Sequence, residues 1–177
     1  MDDLNIHIFH FNPLQVNTIV LHDSTKEAVV VDPGNSQSYE DAQLKEDVEK
    51  HDLTIKAIVN THPHIDHIMG NNWCHETFNA PVCCHEAGMP IYKQAHVYAS
   101  LFGGMDIGDP PQPDCFLHEN DEVRFGNQIL SVLYTPGHCE GSISLLDEQN
   151  HYIICGDLIF EGSVGRSDLP TGNGILM

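Results

Sequence analysis

Three imidazoles and one carboxylate fall within six residues, His62, His64, Asp66 and His67, in the stretch Thr61-His62-Pro63-His64-Ile65-Asp66-His67-Ile68-Met69-Gly70. Neutral imidazole nitrogen and carboxylate oxygen suit zinc, manganese and iron, with zinc–ligand distances of roughly 2.0–2.2 Å. At the end of a strand such a cluster can converge on a divalent cation. His138 follows Pro136 and Gly137, so the chain turns sharply there and presents the ring outward. Asp157 follows Gly156, which lets backbone approach closely, and ends a strand. His62, His64 and His138 would give one cation a face of three nitrogens. Asp66 and His67 would begin a second site, and Asp157 would bridge the two. Cations about 3.5–4 Å apart share a water whose pKa falls near 7, which supplies a hydroxide at neutral pH.

These side chains need a rigid frame, and the pattern of apolar residues supplies strands ahead of most of them. Strands are expected at Leu4 to Phe9, where Leu4, Ile6 and Ile8 alternate with polar residues, at Val16 to Leu21, and at Ala28 to Val31. The last runs into the turn Asp32-Pro33-Gly34. Ser38 is placed to cap a helix from Tyr39 to Lys50 that buries Leu44 and Val48. Leu53 to Val59 then delivers the histidine run. A helix beginning near Asp66 continues into Asn71–Phe78, and Pro81 to Cys84 is a short strand. Ala87 to Leu101 is weakly helical and stops at Gly103-Gly104, and Asp106 to Asp114 is a loop. Val123 to Phe125 and Gln128 to Tyr134 form a hairpin about Gly126-Asn127. Ser142 to Leu146 and Tyr152 to Cys155 form another. Ile159 and Phe160 are expected in the core. Asp32 has the position of a group that orients a ligand histidine.

Seven basic against 26 acidic side chains leave a formal net charge of −19, which repels phosphate backbones and anionic headgroups. Nucleic acid and membranes are therefore not expected partners. A hydrophobic content of 41% in 177 residues supports one domain over 1–177 with a sizeable core. No apolar run is long enough to span a bilayer, and the acidic N-terminus lacks a signal-peptide pattern, so a cytoplasmic location is expected. Six cysteines without a CxxC spacing read as small buried residues rather than bridges, with one of Cys83 and Cys84 pointing inward. The scattered histidines, His7, His22 and His51 among them, read as surface or hydrogen-bonded core residues.

The run His62-x-His64-x-Asp66-His67, followed by Gly137-His138 and Gly156-Asp157, resembles the metallo-β-lactamase superfamily. The segment from Gly156 through Gly165-Arg166-Ser167-Asp168-Leu169-Pro170 is similar to its short glyoxalase II-like (hydroxyacylglutathione hydrolase-like) branch. The resemblance covers the chain from Asp32-Pro33-Gly34 to Leu169. It implies an α+β fold, the αββα four-layer sandwich, with His62, His64, Asp66, His67, His138 and Asp157 binding two divalent metal ions, zinc or else iron or manganese. Aspartate at position 157, where many β-lactamases of the family carry cysteine, points to thioester and other hydrolases. Arg166 stands where glyoxalase II enzymes place a cation that holds a glutathione carboxylate; the alternative is that it anchors its loop through Asp168 or a backbone carbonyl.

Two features depart from the family pattern. Cys139 replaces the usual threonine, a mild change. The family also runs on through a helix, a strand and a Pro-Gly-His-Gly loop whose histidine completes the second site. The resemblance thus implies a domain that is C-terminally incomplete, lacking the last strand and helix. The activity implied is hydrolysis of a small thioester such as an S-acyl glutathione by hydroxide attack on the carbonyl, with Asp66 as the catalytic carboxylate. The alternatives are an iron-dependent persulfide dioxygenase-like oxidoreductase, using His64, His138 and Asp157, and an inactive fragment. A homodimer is an expected partner, because a missing strand exposes a sheet edge.

Overall fold

The structure, a computed structural model, describes residues 4–103 and 110–177. The strands are β1 (Asn5–Phe11), β2 (Val16–His22), β3 (Glu27–Val31), β4 (Thr54–Val59), β5 (Val82–Cys84), β6 (Cys115–Phe116), β7 (Glu122–Phe125), β8 (Gln128–Tyr134), β9 (Ile143–Asp147), β10 (Tyr152–Ile154), β11 (Ile159–Phe160) and β12 (Ser163–Val164). The helices are α1 (Ser38–Lys50), α2 (Ile65–Ile68), α3 (Asn71–Phe78), α4 (Met89–Tyr92) and α5 (Ala95–Gly103). One sheet runs β1-β2-β3-β4-β5-β6 and another runs β10-β9-β8-β7, while β11 and β12 pair separately.

Period-two alternation places the layers. Val29 and Val31 point between the sheets, where they meet Phe125, Leu130, Val132, Ile143 and Leu145. Ala28 and Val30 point the other way, onto Leu44 and Val48 of α1 and Cys74 of α3. β3 therefore reads as an unbroken apolar run because both of its faces are covered. Truncating a fully buried core leucine such as Leu44 to alanine costs about 2–5 kcal/mol. No helix among the described residues is long and apolar enough to cross a membrane.

Several expectations shift in detail. The N-cap of α1 is Gln37, and Ser38 is its first residue. The buried Glu40 carboxylate reaches back to accept from the backbone N–H of Ser36 at 2.7 Å and of Gln37 at 3.1 Å, so capping comes from inside the helix. The helix expected from Asp66 to Phe78 divides at Gly70, which packs so closely on Asn35 that a Cβ there would lie 1.9 Å from its side-chain oxygen. The helix expected over Ala87 to Leu101 begins as a 3-10 turn and continues as α4 and α5. The loop expected at Asp106 to Asp114 and the stop at Gly104 lie partly outside the described residues.

Two corrections concern burial. On β1, Phe9 and Phe11 pack into the helix-side core, whereas Ile6 and Ile8 are 43% and 54% exposed. The alternation was legible, but the aromatic residues outcompete the isoleucines for the covered face. Ile159 and Phe160 are exposed rather than core, because β11 and β12 project as a separate two-stranded hairpin.

The cysteine expectation is also corrected, since Cys83 and Cys115 form a disulfide with a Cα–Cα distance of 4.8 Å. They lie opposite one another on the parallel neighbours β5 and β6, a pairing that sequence spacing does not reveal. Cys83 and Cys84 are both buried.

Candidate metal centre

The frame brings the candidate residues to one edge. β3 and β4 are parallel neighbours with Val31 opposite Val59, so the residues after each strand emerge side by side. Asp32 follows β3 and donates its backbone N–H to Val59 at 2.9 Å. Thr61 and His62 follow β4. In the second sheet, Tyr134 pairs with Ile143, and the β8–β9 loop between them carries His138. The Ile143 N–H donates to the Thr61 carbonyl at 2.8 Å, which fastens the sheets together at this edge. Asp157 follows β10 in a 3-10 turn. Ligand sites in sheets of parallel strands gather at the carboxyl ends in this way.

Gly156 is needed for this approach. Its φ is +51°, and a Cβ would come within 2.3 Å of Thr61 Oγ1 and 3.2 Å of His62 Nδ1. Any side chain would push Asp157 away from the histidines.

Three of the four rings have a donating nitrogen already committed. The Asp32 carboxylate accepts from the Thr61 N–H at 2.7 Å, the Thr61 hydroxyl at 2.6 Å and His67 Nδ1 at 2.9 Å. With its proton given to Asp32, the Thr61 hydroxyl accepts from His62 Nδ1 at 3.1 Å. His138 Nδ1 donates to the Arg166 carbonyl at 2.7 Å. In each case this turns Nε2 toward the shared edge, where a cation could take the place of the proton that His67 Nε2 shares with Asp157 and of the contact between His138 Nε2 and His64. His62 Nε2 is fully buried with no hydrogen-bond partner among the described residues, an arrangement that is costly unless something electrophilic faces it.

The other atoms are spaced to suit. Donor atoms of His62, His64 and His138 lie within 4.8 Å of one another. His64 Nδ1 and His138 Nε2 are 2.8 Å apart. Two nitrogens each about 2.0–2.1 Å from one tetrahedral zinc ion stand about 3.3 Å apart, so the rings need to part only slightly to admit one. The two oxygens of Asp157 face different rings, Oδ1 at 3.2 Å from His67 Nε2 and Oδ2 at 3.7 Å from His138 Nε2. Asp66 Oδ2 lies 3.6 Å from His67 Nε2. The donor set therefore fits a divalent metal centre.

Protonation follows from burial and charge. Burial, reinforced by the neighbouring imidazoles, lowers the pKa of His62 well below the ordinary imidazole value and holds that of His64 at about 4. Burial works against charge on His67 too, but the carboxylates of Asp32, Asp157 and Asp66 outweigh it and raise its pKa. Burial also opposes charge on Asp157, yet His67 and its neighbours hold the carboxyl below its usual range. Burial raises the pKa of Asp66.

A cleft of about 460 Å³ opens over His64, Asp66, His138 and Asp157, walled by Leu14, Ile91, Tyr98, Phe160 and Leu169 and edged by Arg166. A second opening of about 570 Å³ reaches Asp66, His67 and Asp157 from the side of Ile6, Ile8 and Tyr152. Arg166 is exposed and makes a bidentate pair with Asp168, at 2.7 and 2.8 Å. Its guanidinium is thus held at the rim of the first cleft.

Sequence reasoning does not single out Thr61 or Asn12. The Asn12 amide, buried at the turn between β1 and β2, donates at 3.0 Å to both the Gly34 carbonyl and the Asp66 carbonyl, which joins the Asp32 turn to the histidine run. The hydroxyl beside the first histidine was a signal for Thr61. Nothing local to Asn12 announces a partner 54 residues away.

A sandwich of two sheets with clustered histidines and aspartates at their common edge defines a metal-binding hydrolase fold. The chain belongs to the metallo-beta-lactamase superfamily, whose family model matches residues 11–177. Among its relatives is the hydroxyacylglutathione hydrolase GloC of Haemophilus influenzae, 27% identical over 96% of this chain and 79% of the relative. Similar solved structures include BLEG-1, a B3 metallo-beta-lactamase, with a TM-score of 0.87, 31% identity and coverage of 97% of this chain and 81% of that one. TTHA1623 in a di-iron-bound form gives a TM-score of 0.83 at 31% identity, with coverage of 96% and 81%.

Proposed function

We propose that this chain is a metal-dependent hydrolase of small thioesters, of which an S-acyl glutathione is the type. The observation that carries the reading is the position of Asp157, whose two oxygens face His67 on one side and His138 on the other. A carboxylate so placed could serve two cations, one on either side. His62, His64 and His138 would hold one of them, and Asp66 and His67 the other, with zinc favoured by the mixed nitrogen and oxygen donors. When bound, such ions polarise a carbonyl oxygen and make water acidic enough to attack at neutral pH.

The protein's own groups do the rest. Asp32 and the Arg166 carbonyl keep the rings of His67 and His138 turned inward. The Asp66 carboxylate, at the border of both clefts, accepts a hydrogen bond from the incoming water. Leu14, Ile91 and Tyr98 exclude bulk water from the acyl group. The likeness to GloC supports a glutathione thioester. A glutathione carboxylate would compete with Asp168 for the Arg166 fork, a geometry suited to bidentate carboxylate recognition.

The test is turnover of S-lactoylglutathione by the full chain loaded with zinc, iron or manganese in turn, then after chelation and re-addition. Hydrolysis that follows metal content supports the reading. Oxygen uptake with glutathione persulfide, or cleavage of a β-lactam, with no thioester turnover under any metal, would replace it.

A further inference from the structure

A second group of imidazoles assembles on the helix-covered face of the first sheet. Asp47 and His51 stand one turn apart at the C-terminal end of α1. On β1 the residue that alternates inward with Phe9 and Phe11 is His7. Antiparallel pairing sets His7 opposite Val20 and Asn5 opposite His22, so His22 shares the covered face of Val20 and His7. His7 Nδ1 lies 2.7 Å from Asp47 Oδ2, and His51 Nδ1 lies 3.3 Å from Asp47 Oδ1 and 2.9 Å from the Asp47 carbonyl. Donor atoms of His7, Asp47 and His51 are within 4.8 Å of one another. Ring centroids are 4.6 Å apart for His7 and His51, 4.9 Å for His7 and His22, and 5.8 Å for His22 and His51.

His22 is what separates this group from an ordinary ion pair. It is only 5% exposed, and its Nδ1 faces the Asp23 carbonyl at 3.4 Å. That contact makes Nδ1 the protonated nitrogen and leaves the lone pair on Nε2. The Nε2 atom is buried with no hydrogen-bond partner among the described residues. The Asp47 carboxylate already serves His7 and His51, so it leaves the third ring unanswered.

We propose that His7, Asp47 and His51, with His22 buried beside them, form a further metal site, taking one divalent cation of the zinc type and clipping the end of α1 to the β1–β2 hairpin. Two imidazole nitrogens and one carboxylate oxygen, with water in the fourth position, are a donor set that zinc accepts in a four-coordinate shell. His22 is buried beside the group, its ring centroid 4.9 Å from that of His7, while His7, Asp47 and His51 keep side-chain exposures of 24%, 16% and 30% that leave a path from solvent. The site is separate from the catalytic edge. His22 pairs with Ala28 at the start of β3, and Asp32 follows its end, about 13 Å away at roughly 3.3 Å per residue.

Two measurements test this on the full chain. In crystals of the unaltered protein soaked with zinc, an anomalous peak should lie within bonding distance of His7, Asp47 and His51. In solution, the His7→Gln/His51→Gln double variant should retain one equivalent of zinc per chain less than the unaltered protein. It should also show a smaller zinc-induced rise in Tm, with thioester turnover unchanged. Equal zinc content in the two proteins, or a zinc-soaked crystal without the peak, would overturn the proposal. If the double variant does not fold, the anomalous map alone decides. Neither readout depends on which substrate the catalytic edge takes.

Discussion

The Asp32 carboxylate and the His67 ring meet at 2.9 Å with side-chain exposures of only 3% and 5%. Asp32 reaches this position from a left-handed backbone, φ 50°, a conformation that a non-glycine residue adopts at some cost. The same carboxylate holds Thr61, and Thr61 holds His62. One side chain therefore sets the proton position on two rings of the proposed metal centre. Asp32→Ala should lower cation affinity by roughly 10–100-fold. Competition against a chromophoric chelator measures this, and unchanged affinity would mean that packing alone positions the rings.

His62→Ala removes the buried Nε2 lone pair that has no hydrogen-bond partner among the described residues. Metal content by elemental analysis and thioester turnover should fall together. Survival of both would show that the catalytic edge does not work through a cation at His62.

Gly156→Ala tests the close approach of Asp157. An alanine there carries the left-handed penalty of about 1–2 kcal/mol before any collision with Thr61 is counted. The urea midpoint should drop by at least that equivalent, and cation affinity should fall with it. A variant of unchanged stability would place the β10–Asp157 turn in some other backbone conformation.

The metal-free chain should lose stability as pH falls through weakly acidic values. Burial and His138 hold His64 at about 4, against 6.5 for an ordinary imidazole. Between those values the unfolded chain takes up a proton that the folded chain refuses, so stability is present above 6.5 and lost on the way down to about 4. The effect from His64 alone is on the order of 3 kcal/mol. Asp157, with its lowered pKa, pushes in the same direction at lower pH. His67, raised, contributes fully below the ordinary imidazole value and loses its contribution only at high pH. Denaturant titrations of chelator-treated protein at several pH values between 7 and about 4 should show this slope, and a flat profile would contradict the buried, neutral state of His64.

The edge where the candidate residues meet was legible because they are bunched. His62, His64, Asp66 and His67 announce themselves by spacing, and His138 and Asp157 by their Pro and Gly neighbours. Strands such as β1 and β8 were legible from alternation, and β3 from an unbroken apolar run, since it is covered on both faces. What was hidden depends on partners distant in the chain. The Cys83–Cys115 bridge needs β6, a strand of two residues too short to leave a pattern. The inward turn of His7 depends on Asp47 and His51 waiting on α1, which no window around β1 contains. The break in the helix after Ile68 depends on Asn35 filling the space beside Gly70.

Asn12 carries a consequence for motion. Its single amide nitrogen spans two loops that belong to different strands, and both of its bonds run to main-chain oxygens. A shift of either loop alone would stretch one contact and compress the other, so the two are geared to travel as a pair. An Asn12→Asp exchange keeps the outline but turns the tether into a repulsion, and the linked loops would then be free to drift independently.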